Sequence, residues 1–438
     1  MPACSFSALL RVLFAAAFVA CGKSPGARQS PVASPTGAPH ADVDAEAVAA
    51  TDLPSASPPA AGVQTQPLID MARWVDSHPN VPIFSLLLSR HGQLVFELYT
   101  SGLTRHEAHY LMSTTKSVTS AIVGAALDRG LLPGSDAALT DVIPAALFGD
   151  QANRARFRGV TLKNVMGMSV LDANEPPHDN SPAAVLRGRK FLSAPNRVAF
   201  ALTQALLPSP GVSYQYNDIT PVLAGGAVQY ATGKRLFDFA TDTLFARMGF
   251  KNAEWMHQDR RGLDLAAYGL RLRPVDMQKL GILYLNHGVW NGQQLLSAAW
   301  VATTWTPYMR TGPSVTPGYN NYGWFWWQRD DWRTRVHWTN GWRGQFIVAV
   351  PAYDAVFTMT GYIQTGDEVA VLGSLMTHYV IPALAGGNAS EDHALEDALA
   401  RELAAVNADP RLPANPEPRM VPSVEPKETQ RPFDATVP

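Results

Sequence analysis

Strand-forming segments lie near both ends of the central part of this chain, with mainly helical segments between them. Residues 83–89 and 94–99 read as strands joined by a hairpin, and strand-like runs return at 322–327, 335–338, 345–350 and 355–360. Helical patterns fill most of 135–310. This segregation predicts an α+β fold: an antiparallel sheet built from both chain ends with flanking helices, beside a mainly helical region.

Changes in composition mark the ends of the predicted folded domain, residues 66–388. Residues 22–65 are rich in Pro, Ala, Ser and Gly, a composition that buries too little apolar surface to fold, so we expect a disordered tether. Residues 389–438 are expected to form a short helix and a disordered Pro-rich tail. With 46% hydrophobic residues, the chain can bury a sizeable core.

The first 21 residues are predicted to be a signal peptide of the lipoprotein type. Arg11 precedes an apolar run, residues 12–20, that is too short to span a bilayer. The run ends in FVACG, which resembles a bacterial lipobox with Cys21 as the lipidated first residue of the mature protein. We therefore expect an exported, periplasm-facing membrane lipoprotein, held by acyl chains on Cys21. Phe18 departs from the usual Leu, so simple secretion stays open.

Charge and cysteine content argue against several classes of protein. The formal net charge of −2 gives no basic field for a nucleic-acid partner. Both cysteines, Cys4 and Cys21, fall in the predicted signal peptide, which leaves no disulfide framework or thiolate metal site. The 11 histidines are scattered and form no His-Glu-x-x-His helix. We expect neither a metal nor an organic cofactor.

A Ser-x-x-Lys motif opens the helix predicted over 114–129. Ser113 sits at the helix start, where free N–H groups and the positive dipole end favour negative charge. Lys116 lies one turn on, so its ammonium can reach the serine oxygen. Such help matters because a serine hydroxyl is a poor nucleophile at neutral pH. The alternative is that Ser113 is only a helix cap.

A tyrosine-containing loop, 210–218, could supply a base. Pro210-Gly211 makes a turn, and Asp218 can cap the helix that starts near residue 219. A tyrosine beside a lysine ammonium is biased towards phenolate and could take the serine proton. In the alternative interpretation, Tyr214 and Tyr216 simply pack under the loop.

The late stretch 337–345 is rich in glycine and tryptophan and leads into a strand. Its glycines would let the strand edge approach a substrate and present an N–H to a developing oxyanion, unless the stretch is an ordinary hairpin turn. The nearby tryptophans could line an apolar acyl pocket or fill the core. These are Trp324, Trp326, Trp327, Trp332, Trp338 and Trp342.

Together the three stretches resemble the serine β-lactamase and penicillin-binding-protein superfamily, in particular its class C-like branch of esterases and 6-aminohexanoate-dimer hydrolases. The resemblance spans about residues 68–384 and includes STTKSVTSAIVGAALDRG, VTLKNVMGMS, PGVSYQYND and GWRGQFIVAVPAYDAVFTMTG. It implies an acyl-enzyme on Ser113, assisted by Lys116, with Tyr216 as general base. It also implies an oxyanion hole made by the N–H of Ser113 and one near Gly341 and Trp342.

The chain departs from the β-lactamase pattern at two places. Asp218 stands where β-lactamases carry the Asn of Tyr-x-Asn, and no Lys-Thr-Gly triplet precedes the late strand. His337 or Asn340 is the nearest polar substitute. We therefore group Asp218, His337 and Asn340 with Gly341 and Trp342 as candidate substrate-binding and oxyanion residues. The missing lysine weakens the case for binding the carboxylate of penicillins or D-Ala peptides.

The sequence thus predicts a serine hydrolase that cleaves a small-molecule ester or amide. Two alternatives stay open: a penicillin-interacting enzyme (D-Ala carboxypeptidase or β-lactamase), and a non-catalytic lipoprotein that binds the cell wall. The expected partners are the substrate and, through the lipid anchor, a membrane. The sequence does not decide the oligomeric state.

Overall fold

An eight-stranded antiparallel sheet is the largest element of the structure, a computed structural model that describes residues 52–174, 179–311, 321–363, 366–387, 391–410 and 433. The strands are β1 Ile83–Arg90, β2 Gln93–Tyr99, β3 His109–Tyr110, β4 Leu171–Asp172, β5 Ala205–Leu206, β6 Glu254–Trp255, β7 Leu270–Leu272, β8 Val289–Trp290, β9 Gln293–Gln294, β10 Met309–Arg310, β11 Asn321–Tyr322, β12 Trp327–Arg329, β13 Val336–Trp338, β14 Phe346–Val350 and β15 Ala355–Gly361. The order across the main sheet is β10-β11-β12-β13-β14-β15-β1-β2.

Strand β1 joins the two ends of the chain. It pairs with β2 through the predicted hairpin and with β15 on its other side, both antiparallel. In this register Leu86 lies between Met359 of β15 and Leu98 of β2. Every residue of β15 is buried, so both faces at the centre of the sheet are covered. The predicted sheet assembled from both chain ends is confirmed.

The helices cover the sheet and build the region beside it. They are α1 Thr65–Ser77, α2 Thr114–Asp128, α3 Leu139–Val142, α4 Gln151–Arg156, α5 Leu162–Met166, α6 Pro182–Leu192, α7 Arg197–Leu202, α8 Pro221–Thr232, α9 Leu236–Ala240, α10 Pro274–Leu285, α11 Ala298–Thr304, α12 Glu368–Leu375, α13 Ile381–Ala385 and α14 His393–Ala408. A π-helical turn, Thr241–Phe245, extends α9, and another, Met376–Val380, joins α12 to α13.

Helix α10 packs across β1, β14 and β15. Its buried Gln278 replaces water for three polar groups of the sheet. The Gln278 amide donates to the carbonyl oxygens of Leu87 (2.8 Å) and Val356 (3.2 Å), and its side-chain oxygen accepts from the Ser89 hydroxyl (2.8 Å). These bonds fix the helix against the sheet, because a buried polar group left unpaired would cost free energy.

Helices from the two chain ends pack together. Helix α1 contacts α14, α13 and the turn Met376–Val380, and α14 also contacts β2. Within the described ranges, Glu368–Ala385 is the one segment long and apolar enough to span a membrane by length and composition alone. Its contacts with α1 are those of a core helix. The predicted flanking helices are therefore present.

The packed unit extends further at both ends than residues 66–388. The Asp52 carboxylate lies 3.0 Å from Arg273 Nη2 and 3.7 Å from Lys279 Nζ, all three side chains being buried. The Pro54 carbonyl accepts from the Leu94 N–H (2.8 Å), which ties this segment to β2. At the other end, α14 lies beyond residue 388. The predicted signal peptide, with Cys21, and most of the predicted tether and tail lie outside the described residues.

The strand predicted over 322–327 forms as two short strands, β11 and β12, separated by an inward turn. Phe325 adopts a left-handed backbone conformation (φ 64°) at this break. Its N–H donates to Met166 of α5, and its carbonyl accepts from the Ser117 hydroxyl of α2 at 2.5 Å. Bonds to two distant helices therefore override the local strand preference.

The mainly helical region packs around α8, which contacts α2, α3, α5, α7 and α9. All side chains from Thr114 to Ala126 are buried, so α2 is a core helix rather than an amphipathic one. The α+β class, with a large antiparallel sheet beside a helical region, is confirmed.

Candidate active site

Ser113 lies at the start of α2 in a backbone geometry that turns its hydroxyl away from capping. Met112, the residue before it, has φ 48°, a conformation that is uncommon for a residue with a side chain. The Ser113 side chain makes no capping hydrogen bond. Its Oγ instead accepts from Lys116 Nζ at 2.8 Å. The capping interpretation of Ser113 therefore lacks the bond that defines it.

Lys116 is held by three acceptors and is 1% exposed. Its ammonium donates to Ser113 Oγ, to Asp218 Oδ1 at 2.5 Å and to the Ala267 carbonyl at 3.1 Å. Burial opposes the charge, but attraction to Asp218 and Tyr216 outweighs it and raises the pKa of Lys116 above its ordinary value. The lysine therefore rests as an ammonium.

Tyr216 brings its phenol within hydrogen-bonding reach of both Ser113 and Lys116. The Lys116 Nζ lies 4.9 Å from the ring centroid, and the ring packs against Tyr322 and Trp327. Burial raises the pKa of Tyr216, and the lysine only partly offsets this effect. The resting phenol is therefore neutral, whereas the sequence suggested a bias towards phenolate.

Asp218 and Asn217 have exchanged the roles that the sequence suggested. Asn217 Oδ1 accepts from the N–H groups of Ile219 (3.1 Å) and Thr220 (2.7 Å), the helix-starting bonds predicted for Asp218. Asp218 is thereby left to bind Lys116. The chain offered a signal for this pairing, a carboxylate two residues after Tyr216, but its partner could not be read from the sequence.

The late glycine-rich turn packs directly against the strand before Ser113. A β-carbon at Gly341 would lie 2.2 Å from the Leu111 carbonyl oxygen, so only glycine allows this approach. The Thr114 hydroxyl lies 2.9 Å from that of Thr339 and donates to the Gln345 carbonyl at 2.8 Å. The structure thus brings the predicted oxyanion turn beside the start of α2.

Trp342 differs from the other tryptophans that the sequence singled out. Trp324, Trp326, Trp327, Trp332 and Trp338 are buried in the aromatic core. Trp342 is half-buried and packs with Phe84 and Met112 in a small separate cluster beside Ser113. The core interpretation therefore describes most of them, and Trp342 is the one placed next to the nucleophile.

His337 lies in an aromatic stack instead of the Ser113 cluster. Its ring stacks on Trp305 with centroids 4.2 Å apart and planes at 2°. Burial, with a smaller contribution from Arg335, lowers the pKa of His337 to about 3, so the ring is neutral. Asn340 is half-buried and immediately precedes Gly341. Substrate binding by either residue stays a prediction.

The described residues contain no group of three or more His, Cys, Asp or Glu side chains placed to hold a metal ion. The polar atoms around Ser113 are an ammonium, a phenol and one carboxylate. This donor set can hold and move protons at a nucleophilic hydroxyl.

Comparison with known proteins defines the family. A family model described as beta-lactamase matches residues 71–372, more than half of the 438 residues. The 6-aminohexanoate-dimer hydrolase of Paenarthrobacter ureafaciens is 24% identical over 227 residues, which are 50% of this chain and 55% of that protein. The chain thus spans about half the length of this curated relative.

Solved structures share the fold at low sequence identity. A candidate 6-aminohexanoate-dimer hydrolase from Bacillus anthracis has a TM-score of 0.59 at 20% identity, covering 71% of this chain and 82% of its own. EstCE1, a hydrolase with promiscuous acyltransferase activity, has a TM-score of 0.57 at 12% identity, covering 72% and 98%.

The chain therefore belongs to the beta-lactamase family. This confirms the predicted superfamily, and the hydrolase names of the relatives agree with the predicted class, a serine hydrolase of this family.

Proposed function

We propose that this protein cleaves a carboxylic ester or amide through an acyl-enzyme on Ser113. The observation that carries the proposal is the contact between Ser113 Oγ and Lys116 Nζ at 2.8 Å, with the phenol of Tyr216 in reach of both groups. A structural serine at a helix start has no need of a buried lysine and a buried tyrosine on its hydroxyl.

In the proposed acylation, Ser113 Oγ attacks the substrate carbonyl carbon while Tyr216 takes the serine proton. The N–H groups of Ser113 and Trp342 stabilise the developing oxyanion, aided by the positive end of α2. Tyr216 then protonates the leaving alcohol or amine. Water attacks the acyl-enzyme by the same route in reverse and releases the carboxylic acid.

A fluorophosphonate probe tests the proposed nucleophile. We expect the probe to label wild-type protein covalently at Ser113, and Ser113→Ala to abolish labelling and lower turnover of p-nitrophenyl esters at least about 1,000-fold. The exposed Ser193 supplies the control, since Ser193→Ala should keep both properties. Full ester turnover by the Ser113→Ala protein would rule the mechanism out.

A panel of esters, short amides and a fluorescent penicillin separates the substrate classes. Turnover of esters or amides without stable penicillin labelling supports the proposal. Stable labelling by penicillin would favour the penicillin-interacting alternative. If neither probe labels the folded wild-type protein, the cell-wall-binding lipoprotein becomes the better account.

We further propose that the protein is exported and anchored to a membrane through lipid on Cys21. The lipobox-like sequence FVACG and the Pro-rich stretch after it support this. In a bacterial host, we expect the wild-type chain to fractionate with membranes and Cys21→Ala to be lost from them. Equal membrane fractions for the two chains would contradict the anchor.

A further inference from the structure

Lys116 has a carboxylate partner where the family pattern supplies an amide. The Asp218 Oδ1 lies 2.5 Å from Lys116 Nζ, and the two side chains are 23% and 1% exposed. An asparagine at this position could accept the same hydrogen bond but could not balance the ammonium charge. In this chain the neighbouring Asn217 is occupied with the backbone of residues 219 and 220, so it does not compete for the lysine.

A buried ammonium needs one compensating negative charge close by. Two groups around Lys116 could carry it, the Tyr216 phenol and the Asp218 carboxyl. A carboxyl ionises far more readily than a phenol, by about six pKa units in their unperturbed forms. With Asp218 in contact, Tyr216 has no charge to balance and can keep its proton.

We propose that Asp218 is a positioning residue that acts through Lys116: it balances the ammonium, so that Tyr216 rests as a neutral phenol, and it receives the proton that acylation sets free. The inference rests on the proposed acylation of Ser113 and adds the route by which the serine proton leaves.

The proposed step balances without an added reactant. The Ser113 Oγ–H bond breaks as the bond from Oγ to the substrate carbon forms, and the carbonyl oxygen takes the negative charge. The serine proton passes to the Tyr216 oxygen, and the tyrosine proton passes to Lys116 Nζ. Lys116 in turn gives a proton to Asp218, so the lysine remains an ammonium and the carboxyl becomes neutral.

The other titratable group that faces this cluster is Tyr322, which packs against Tyr216 at a centroid distance of 6.4 Å. Burial raises the pKa of Tyr322 well above its ordinary value, and the nearby Tyr216 and Asp218 reinforce the effect. Tyr322 therefore stays neutral and supplies no competing charge. Of the groups that contact Lys116, Asp218 is the one that can carry the balancing charge.

Near-ultraviolet tyrosinate absorbance measures the proposed charge state directly. In the full-length wild-type protein, subtracting the pH titration of Tyr216→Phe should reveal no tyrosinate at neutral pH. In Asp218→Asn, the same subtraction against the Asp218→Asn/Tyr216→Phe double variant should reveal about one tyrosinate per chain, because the phenol becomes the only available counter-charge.

The pH profile of ester hydrolysis tests the proton route. In Asp218→Asn, the acid limb of kcat/KM should coincide with the tyrosinate titration, because the phenolate has become the base. In the wild type no such coincidence is expected. Asp172→Asn is the matched control: Asp172 contacts Gln215 of the same loop, and both readouts should match the wild type.

Two results would overturn the inference: a Tyr216 tyrosinate in the wild type at neutral pH, or an Asp218→Asn protein with no tyrosinate and an unchanged pH profile. The wild-type comparison needs only Tyr216→Phe, so it decides the resting charge even if Asp218→Asn does not fold. Because absorbance reports the resting protein, this test stands apart from fluorophosphonate labelling of Ser113, whose failure would instead count against the proposed function.

Discussion

Burial has opposite consequences for two basic residues of this protein because their neighbours differ. Lys116 keeps its charge in the interior since Asp218 lies against it, whereas His337 loses its charge in an aromatic stack. The Nδ1 atom of His337 has no hydrogen-bond partner among the described residues. A proton added to this ring would therefore be buried without compensation.

His337 should make the folded protein sensitive to acid. Its pKa falls from an ordinary 6.5 to about 3 on folding. Between these values the unfolded chain binds a proton that the folded protein does not. This contribution to stability is therefore complete above about pH 6.5 and is lost as the pH falls towards 3, by up to about 1.4 kcal/mol per pH unit.

In His337→Phe this contribution is absent, so we expect the free energy of unfolding to fall less steeply with acid than in the wild type. Denaturant unfolding across the range from about pH 7 to about pH 4 measures the two slopes. His393→Phe, at an exposed position in α14, is the control and should keep the wild-type slope. Parallel slopes for His337→Phe and the wild type would contradict the account.

At the scale of elements, the site depends on two segments more than two hundred residues apart in sequence. The start of α2 and the turn before β14 meet through Thr114, Thr339 and Gln345. Gly341 brings the turn against the Leu111 backbone, and this contact sets the distance between the Ser113 N–H and the turn.

Gly341→Ala should separate these two segments. The added methyl group would overlap the Leu111 carbonyl oxygen, and overpacking of this kind typically costs about 1–3 kcal/mol. Because the oxyanion donors would move apart, we expect kcat to fall about tenfold or more while the fold survives. Thermal unfolding and ester hydrolysis measure the two effects. Gly159→Ala, where the methyl group would meet nothing within 4 Å, should change neither.

The sequence predicted the elements whose signals are local. Helix α2 and the hairpin of β1 and β2 follow from apolar spacing and turn residues, and the structure places them within one or two residues of the predicted ends. The break at Phe325 was missed, because it depends on bonds to α2 and α5 that no local pattern contains.

The same limit applies to the candidate site. The Ser-x-x-Lys spacing predicted that Ser113 and Lys116 would meet, since both lie on one helix face. The pairing of Lys116 with Asp218 joins residues 102 positions apart, so the sequence could not choose between capping and charge pairing for that carboxylate.

At the scale of the whole molecule, the amino-terminal segment is tied into the core by charge. Asp52, Arg273, Asp276 and Lys279 form a buried cluster in which Arg273 contacts both carboxylates, at 3.0 Å from Asp52 and 2.8 Å from Asp276. Lys279 also contacts Asp276, at 3.1 Å. Helix α10, which carries three of these residues, lies across β1, β14 and β15. The cluster therefore connects the segment before α1 to the centre of the sheet.

Asp52→Asn should destabilise the whole molecule, because it removes one of two carboxylates that balance two buried cations. Breaking a buried ion pair from one side typically costs about 3–5 kcal/mol, and since Asp276 remains we expect about 3 kcal/mol. Asp242→Asn is the control: it breaks an exposed pair with Lys234, and surface pairs contribute about 0–1 kcal/mol. Denaturant unfolding at neutral pH compares the two. Equal midpoints for Asp52→Asn and the wild type would show that the segment before residue 66 is dispensable for the fold.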